Sequence, residues 1–174
     1  MKRADRAIPI VKDVQILNAS GPWNTKSGGT LNVILAISLA TAHGRFFRYN
    51  EKECNSVPRD IRGLRAYTVR DLQQGRIGGT EWHRIRGEMV FALQGSVRWT
   101  CEDLFGDKRD LVLTTDMGVW MPPFILHTYQ VEEDGSILLA IANTLFIPDD
   151  STTHDTYPMD AFRTLQSEYA TKSK

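Results

Sequence analysis

The sequence predicts an all-β fold, a sandwich or a barrel, closed by a short helical tail. Three observations carry that prediction. Short runs rich in Val, Ile, Leu and aromatic residues follow one another, turn signals separate them closely, and no long helical pattern falls between them. The runs are LNVILAI (31–37), LRAYTV (64–69), EMVFALQ (88–94), SVRWTCE (96–102), RDLVLTT (109–115), GVWMP (118–122) and SILLAIAN (136–143). The turns are Ser27-Gly28-Gly29, Gly78-Gly79, Phe105-Gly106-Asp107, Asp134-Gly135-Ser136 and Pro148-Asp149-Asp150.

Gly95 stands between EMVFALQ and SVRWTCE and predicts a bend or bulge in a long strand. DLFGDKRD joins SVRWTCE to RDLVLTT as a hairpin loop, with Gly106-Asp107 as its turn. From Pro158 to Lys174 the pattern becomes helical, because Phe162, Leu165 and Tyr169 recur at i, i+3 and i+7. Asp155 or Thr156 is the expected cap of that helix, with Pro158 near its first turn. The 174 residues suit one domain. Residues 1–56 supply N-terminal strands and an insertion, 57–147 the barrel core, and 148–174 an acidic loop and the helix.

Lys plus Arg is 21 and Asp plus Glu is 21, so the formal net charge is zero. A nucleic-acid polymer is not the expected partner, because such proteins carry a basic excess. Cys54 and Cys101 lack any metal-knuckle spacing and are expected to be ordinary reduced thiols. The opening MKRADRAIPIVKD is basic without an apolar run behind it, so no secretory leader is expected. The longest apolar run, Val33 to Ala40, is too short to span a bilayer. A cytoplasmic protein with no membrane association is the expectation.

The most informative stretch is GGTEWHRIRGEMVFALQGSVRW (78–99). It reads Glu81-x-His83, four residues, Glu88, six residues, Gly95. Residues at i and i+2 on a strand share a face, which in a barrel is the interior where a ligand sits. Trp82, between them, alternates outward and suits packing or a subunit contact. A second stretch, GVWMPPFILHTYQVEEDGS (118–136), places Pro122 five residues before His127. In this order and separation the two stretches resemble the paired motifs of the cupin superfamily. The resemblance implies a cupin, that is, a double-stranded β-helix (jelly-roll) barrel with a short C-terminal helix. Phe124 stands where the second motif usually has glycine.

Within that superfamily the chain resembles the nucleotide-sugar 3,4-ketoisomerases, and more distantly the dTDP-sugar 3,5-epimerases. The resemblance runs over roughly residues 27–165, through SGGTLNVI (27–34), VPRDIRGLRAYTV (57–69), HRIRGEMVFALQGSV (83–97), LHTYQVEEDGSILLAIAN (126–143) and PDDSTTHDTYPMDAF (148–162). The sequence departs from the family at Gly28 (for arginine), Glu81 (for the first histidine of His-x-His) and Leu126 (for tryptophan). Residues 35–56 form a longer insertion than the family needs. The resemblance implies metal-free acid/base chemistry on a dTDP-4-keto-6-deoxy sugar in polysaccharide or glycoside biosynthesis, and a homodimer that shares N-terminal strands.

3,4-Ketoisomerisation needs a base for the proton alpha to the carbonyl and an acid to feed the oxygens. Hydrogen-bond donors can hold the developing enolate charge without a metal. Glu81 is the expected base, His83 the acid or shuttle, and Tyr67 the oxyanion donor. Arg65, Arg76, Arg84 and Arg86 form a local basic cluster suited to a diphosphate, because the guanidinium fork binds two oxygens. Trp120 and His127, on the second motif, are expected to line the substrate site, whereas His43 and His154 lie outside both motifs and are expected to be exposed. No cofactor is favoured. Two alternatives remain. Glu81, His83, Glu88 and His127 together suit one divalent Fe, Mn, Ni or Zn ion, for oxygenase or isomerase chemistry. Loss of the first histidine also suits a non-catalytic sugar-binding cupin.

Overall fold

The computed structural model describes residues 8–57 and 59–172. Its strands are β1 (Gln15–Asn18), β2 (Ser20–Asn24), β3 (Thr30–Val33), β4 (Arg62–Leu72), β5 (Ile77–Trp82), β6 (Glu88–Gln94), β7 (Ser96–Glu102), β8 (Lys108–Thr114), β9 (Met117–Met121), β10 (Leu126–Val131), β11 (Ser136–Thr144) and β12 (Tyr157–Pro158). Helices are α1 (Leu39–Phe46), α2 (Glu51–Cys54) and α3 (Met159–Lys172). Two five-stranded antiparallel sheets, ordered β1-β9-β6-β11-β4 and β12-β5-β10-β7-β8, face each other as a jelly roll, and β2-β3 forms a separate ribbon. This is the cupin-like barrel that the sequence implies.

Two glycines shape it as expected. Gly95 takes φ +72 and carries the chain from β6 in one sheet to β7 in the other, so the bend is a corner of the barrel. A Cβ there would come within 2.2 Å of Ser136 Oγ, so position 95 needs glycine for space as well as for φ. β7 and β8 pair as the expected hairpin, with Gly106 at φ +90. Asp103 organises that loop by accepting the Phe105 and Asp107 N–H groups at 2.9 and 3.1 Å, and its other oxygen accepts Val11 N–H at 3.0 Å.

Between the sheets one end of the barrel is apolar, built from Val90, Val97, Leu113, Val119, Ile125 and Leu138 among others. The outer faces are covered too. α3 lays Phe162 against Trp82, Phe124 and Leu126 on the second sheet. On the first sheet, Phe46 of α1 packs with Met89, Phe91 and Trp120. The 35–56 insertion therefore lies on the outside of the first sheet. Ser38 caps α1 by accepting Thr41 N–H at 3.1 Å, and Asn50 caps α2 by accepting Lys52 N–H at 3.1 Å.

Besides α1 and α2, which fall where no helix was expected, two elements differ from expectation. The apolar run 31–37 pairs as strand only to Val33, because Ile34, Leu35 and Ile37, each half-buried, pack on the outer cluster instead. The tail helix begins at Met159, and neither Asp155 nor Thr156 caps it. Buried Asp155 instead accepts the N–H groups of Arg84, Ile85 and Arg86 at 3.0, 2.9 and 2.7 Å, while Thr156 accepts from Arg86. Cys54 and Cys101 are free thiols. Among the described residues no helix is long and apolar enough to cross a membrane.

Candidate active site

The polar end of the barrel opens into a cavity of about 680 Å³, lined by Arg65, Tyr67, Glu81, Arg86, Phe146 and Thr156, with Pro148 and His154 at its edge. β4 supplies Arg65 and Tyr67 from one face of an alternating strand. On β5, Glu81 sits opposite His127 of β10. A bulge at Thr80, with φ +66, sets that register beside Gly79 at φ +72. Glu88 begins β6, with His83 and Arg86 in the loop before it. His83, Arg86, Glu88 and His127 are all buried, whereas Glu81 keeps 33% of its side chain exposed towards the cavity.

Hydrogen bonds fix the two imidazoles. His83 Nδ1 donates to the Asp155 carbonyl at 2.6 Å and His127 Nδ1 to the Ile125 carbonyl at 3.2 Å. In the neutral form of each ring Nε2 is then the acceptor, and it is turned inward. His83 Nε2 lies 3.9 Å from Glu81 Oε1 and 3.7 Å from Glu88 Oε1, and His127 Nε2 lies 4.0 and 3.5 Å from the same atoms. Trp99 stacks on His127 with ring centroids 5.6 Å apart and closes the site from below. Burial pushes the His127 imidazole down, and the nearby Glu88 charge only partly offsets this. Burial also opposes a charge on Glu88. The neighbouring His83 and His127 and the Arg86 guanidinium outweigh it and hold that carboxyl below the usual range.

Tyr67 donates its hydroxyl to Glu88 Oε2 at 3.3 Å. Burial, and then the Glu88 charge, push the phenol well above its ordinary value, so it stays protonated at neutral pH. Arg86 is held at three points: Thr144 Oγ1 and Thr156 Oγ1, each at 3.2 Å, and His83 Nε2 at 3.3 Å. Arg65 lies over the rings of Tyr67 and Phe146, at 4.9 and 5.1 Å, and its Nε is buried without an acceptor among the described residues.

The structure thus brings together Tyr67, Glu81, His83, Arg65, Arg86, Glu88 and His127. It does not bring in Arg76, Arg84 or Trp120, and the expectation that they line the site is corrected. Arg76 is exposed in the turn between β4 and β5. Arg84 points outward, over Trp82 and Tyr157, and pairs with Glu53 at 3.3 Å. Trp120 is on the outer face of the first sheet with Phe46. Phe146, Pro148, His154 and Thr156 enter the cavity wall without having been singled out. Pro148, His154 and Thr156 lie in the PDDSTTHDTYP run before the last helix, which was their one signal, and Phe146 precedes it with none. His154, expected to be merely exposed, stacks on Phe146 with centroids 4.5 Å apart and donates Nε2–H to the Ile147 carbonyl at 3.0 Å. His43 is exposed, as expected.

Comparison with known proteins agrees with this architecture. The family model described as FdtA, WxcM-like, C-terminal matches residues 39–159. No curated protein sequence matches the chain. Solved structures similar in fold include a sugar 3,4-ketoisomerase from Thermoanaerobacterium thermosaccharolyticum in complex with TDP (17% identity, 92% of this chain and 98% of that one, TM-score 0.61). A TDP-fucose-3,4-ketoisomerase from Campylobacter jejuni is 20% identical over 91% of this chain and 98% of that one, with a TM-score of 0.60. A dTDP-4-dehydrorhamnose 3,5-epimerase from Bacillus anthracis is 13% identical over 87% and 83%, with a TM-score of 0.58.

Proposed function

The chain belongs to the FdtA, WxcM-like, C-terminal family, and on that premise we propose that it isomerises or epimerises a nucleotide-linked 4-keto-6-deoxy sugar. The favoured reaction moves the ketone between C4 and C3 through an enediol. One observation carries the reading. A partly exposed carboxylate, a buried imidazole acceptor, a protonated buried phenol and two guanidinium groups meet in one cavity large enough for a sugar.

In this reading Glu81 takes the proton from C3 and returns it to C4. His83, an acceptor at Nε2 in its neutral form, takes the C3-hydroxyl proton and delivers it to the C4 oxygen, with Arg86 releasing that nitrogen to the substrate. Tyr67 donates to the enediolate oxygen while the charge is on it. Arg65 and Arg86 hold the diphosphate. The same reading makes the chain a cytoplasmic homodimer of polysaccharide or glycoside biosynthesis, with a small-molecule sugar nucleotide as ligand and no bound cofactor. Exchange of solvent deuterium into carbon alpha to the ketone of dTDP-4-keto-6-deoxyglucose, followed by NMR, tests it. Glu81→Gln and His83→Asn are each expected to slow exchange by about a hundredfold or more. Unchanged exchange in both variants would overturn the assignment.

A second reading is favoured by one feature of the donor set. The ligand atoms of Glu81, His83 and His127 all lie within 4.8 Å of one another, and Glu88 Oε1 is 3.5–3.7 Å from both Nε2 atoms. Both Nδ1 atoms are already held by carbonyls, the outer-shell arrangement of metal-bound histidines. These residues fit a divalent Fe, Mn, Ni or Zn ion, which would act as a Lewis acid on a substrate oxygen. Metal content of tag-free protein, by mass spectrometry, separates the readings. About one ion per chain, lost in His127→Ala, establishes the metal centre, and metal-free protein that exchanges deuterium establishes the first reading.

A further inference from the structure

The loop between β5 and β6 serves two cavities. Arg86 lines the barrel cavity, whereas Arg84 and Ile85, its neighbours in the loop, line a second cavity of about 380 Å³ on the outer side of the first sheet. Gly44, Arg45, Arg48, Tyr49 and Asn50 form much of its wall. All five come from the 35–56 insertion, so the cavity exists because of the segment in which this chain departs from the resembled pattern. Trp120 and Asn143 close it on the sheet side.

Its charges are not balanced from within. Three arginines, Arg45, Arg48 and Arg84, face one carboxylate, Asp13. Arg84 is neutralised by Glu53 at 3.3 Å. Asp13 accepts the Ile10 N–H at 3.0 Å. Arg45 gives Nη2 to the neutral amide of Gln15, but its Nη1 is buried with no acceptor among the described residues. Its guanidinium lies 5.3 Å from the centre of the Trp120 ring, which holds the fork in place. Arg48 makes no ion pair or side-chain hydrogen bond among the described residues. A buried guanidinium donor without an acceptor is costly, and an oxyanion that draws this nitrogen into the cavity and accepts from it removes the cost.

We infer that this outer cavity binds a tetrahedral phosphoryl dianion, either free phosphate or the phosphate group of a small phosphomonoester, between Arg45 and Arg48. Two forked donors suit a dianion with several oxygens. The site is separate from the barrel cavity and does not rest on the reaction proposed there. It does touch the same loop, because Asn143 accepts the Gly87 N–H at 2.8 Å, next to Glu88.

The two cavities have separate tryptophan reporters. Trp120 lies under Arg45, and Trp99 stacks on His127. The test is a titration of the full chain with inorganic phosphate and, in a second arm, ribose 5-phosphate, read from the indole N–H resonances assigned through Trp120→Phe and Trp99→Phe. Saturable movement of the Trp120 resonance, with a dissociation constant on the order of 1 mM or lower, is expected. Arg48→Met, at an exposed side chain whose loss spares the core, is expected to weaken it about tenfold. Tighter binding of ribose 5-phosphate assigns the site to phosphomonoesters, and equal binding assigns it to phosphate itself. A static Trp120 resonance while Trp99 moves would place phosphate in the barrel only and overturn the inference. So would equal movement with sodium chloride at matched ionic strength. Loss of deuterium exchange with the Trp120 response intact would instead count against the reaction alone.

Discussion

Tyr67 shows how one side chain is prepared for a role. Its ring is fixed by Arg65 above it and its proton is directed at Glu88 Oε2, so the hydroxyl is a donor held in place before substrate arrives. Tyr67→Phe is expected to lower turnover by about tenfold to a hundredfold with KM changed little, because the donor matters most when the oxyanion forms. Steady-state kinetics on a 4-keto sugar nucleotide checks this, and unchanged turnover would reduce Tyr67 to packing. Glu81 and His83 were legible as an i, i+2 pair across the end of β5, with His83 the first residue beyond the strand, and Tyr67 was legible from the resemblance. Arg84 and Arg86 have the same spacing but lie in a loop, where alternation does not hold, and they point into different cavities. Trp120 was misplaced for another reason. Val119, Trp120 and Met121 are all buried, since both faces of β9 are covered, so the sequence shows alternation there without showing which face is inward.

At the scale of elements, buried carboxylates organise what glycine and proline only permit. Asp155 gathers three N–H groups of the 83–87 loop while its own carbonyl orients His83, which couples the chain before α3 to the site. Phe124 keeps φ +63 where the resembled motif has glycine, and its buried ring, 5.8 Å from Trp82, offsets a left-handed cost of about 1–2 kcal/mol. α3 is also tied to β7 through Glu102, which Arg163 binds through both oxygens and Gln166 supports at 3.0 Å. Burial alone would raise the Glu102 carboxyl, but the Arg163 and Gln166 hydrogen bonds and the Arg163 and Lys108 charges outweigh it and leave it lowered. A carboxyl lowered by folding adds stability above its unfolded pKa and loses it as pH falls through the folded value. Urea denaturation should therefore find Glu102→Gln less stable than wild type at pH 7 by up to about 1 kcal/mol, since Arg163 is partly exposed. The difference should shrink as pH falls below about 4. A gap that widens on acidification would contradict the pairing.

The whole molecule is a barrel whose two sheets are each covered on the outside, one by the 34–50 segment and the other by α3. That double burial explains why β6, with five consecutive buried residues, and β9 read as almost continuous apolar runs. It also explains why the fold class was legible while α1 and α2 were not: short helices packed on a sheet leave too few periodic positions to register. If α3 is part of one cooperative unit with the barrel, its anchor should carry a core residue's full cost. Phe162 is that anchor, fully buried with its ring 5.7 Å from Trp82 and edge-on to it. Phe162→Ala is expected to lower the unfolding free energy by about 3–5 kcal/mol. Far-UV circular dichroism and tryptophan fluorescence should shift together to lower urea, because Trp82 beneath the helix and Trp99 inside the barrel report the same transition. Activity per folded molecule should stay within about twofold, since Phe162 lies on the outer face of the second sheet and does not line the cavity. A loss below about 1 kcal/mol, or separate transitions by the two probes, would mean that α3 unfolds apart from the barrel. Asp155, only a few residues before it, would then need its own tether to keep His83 in place.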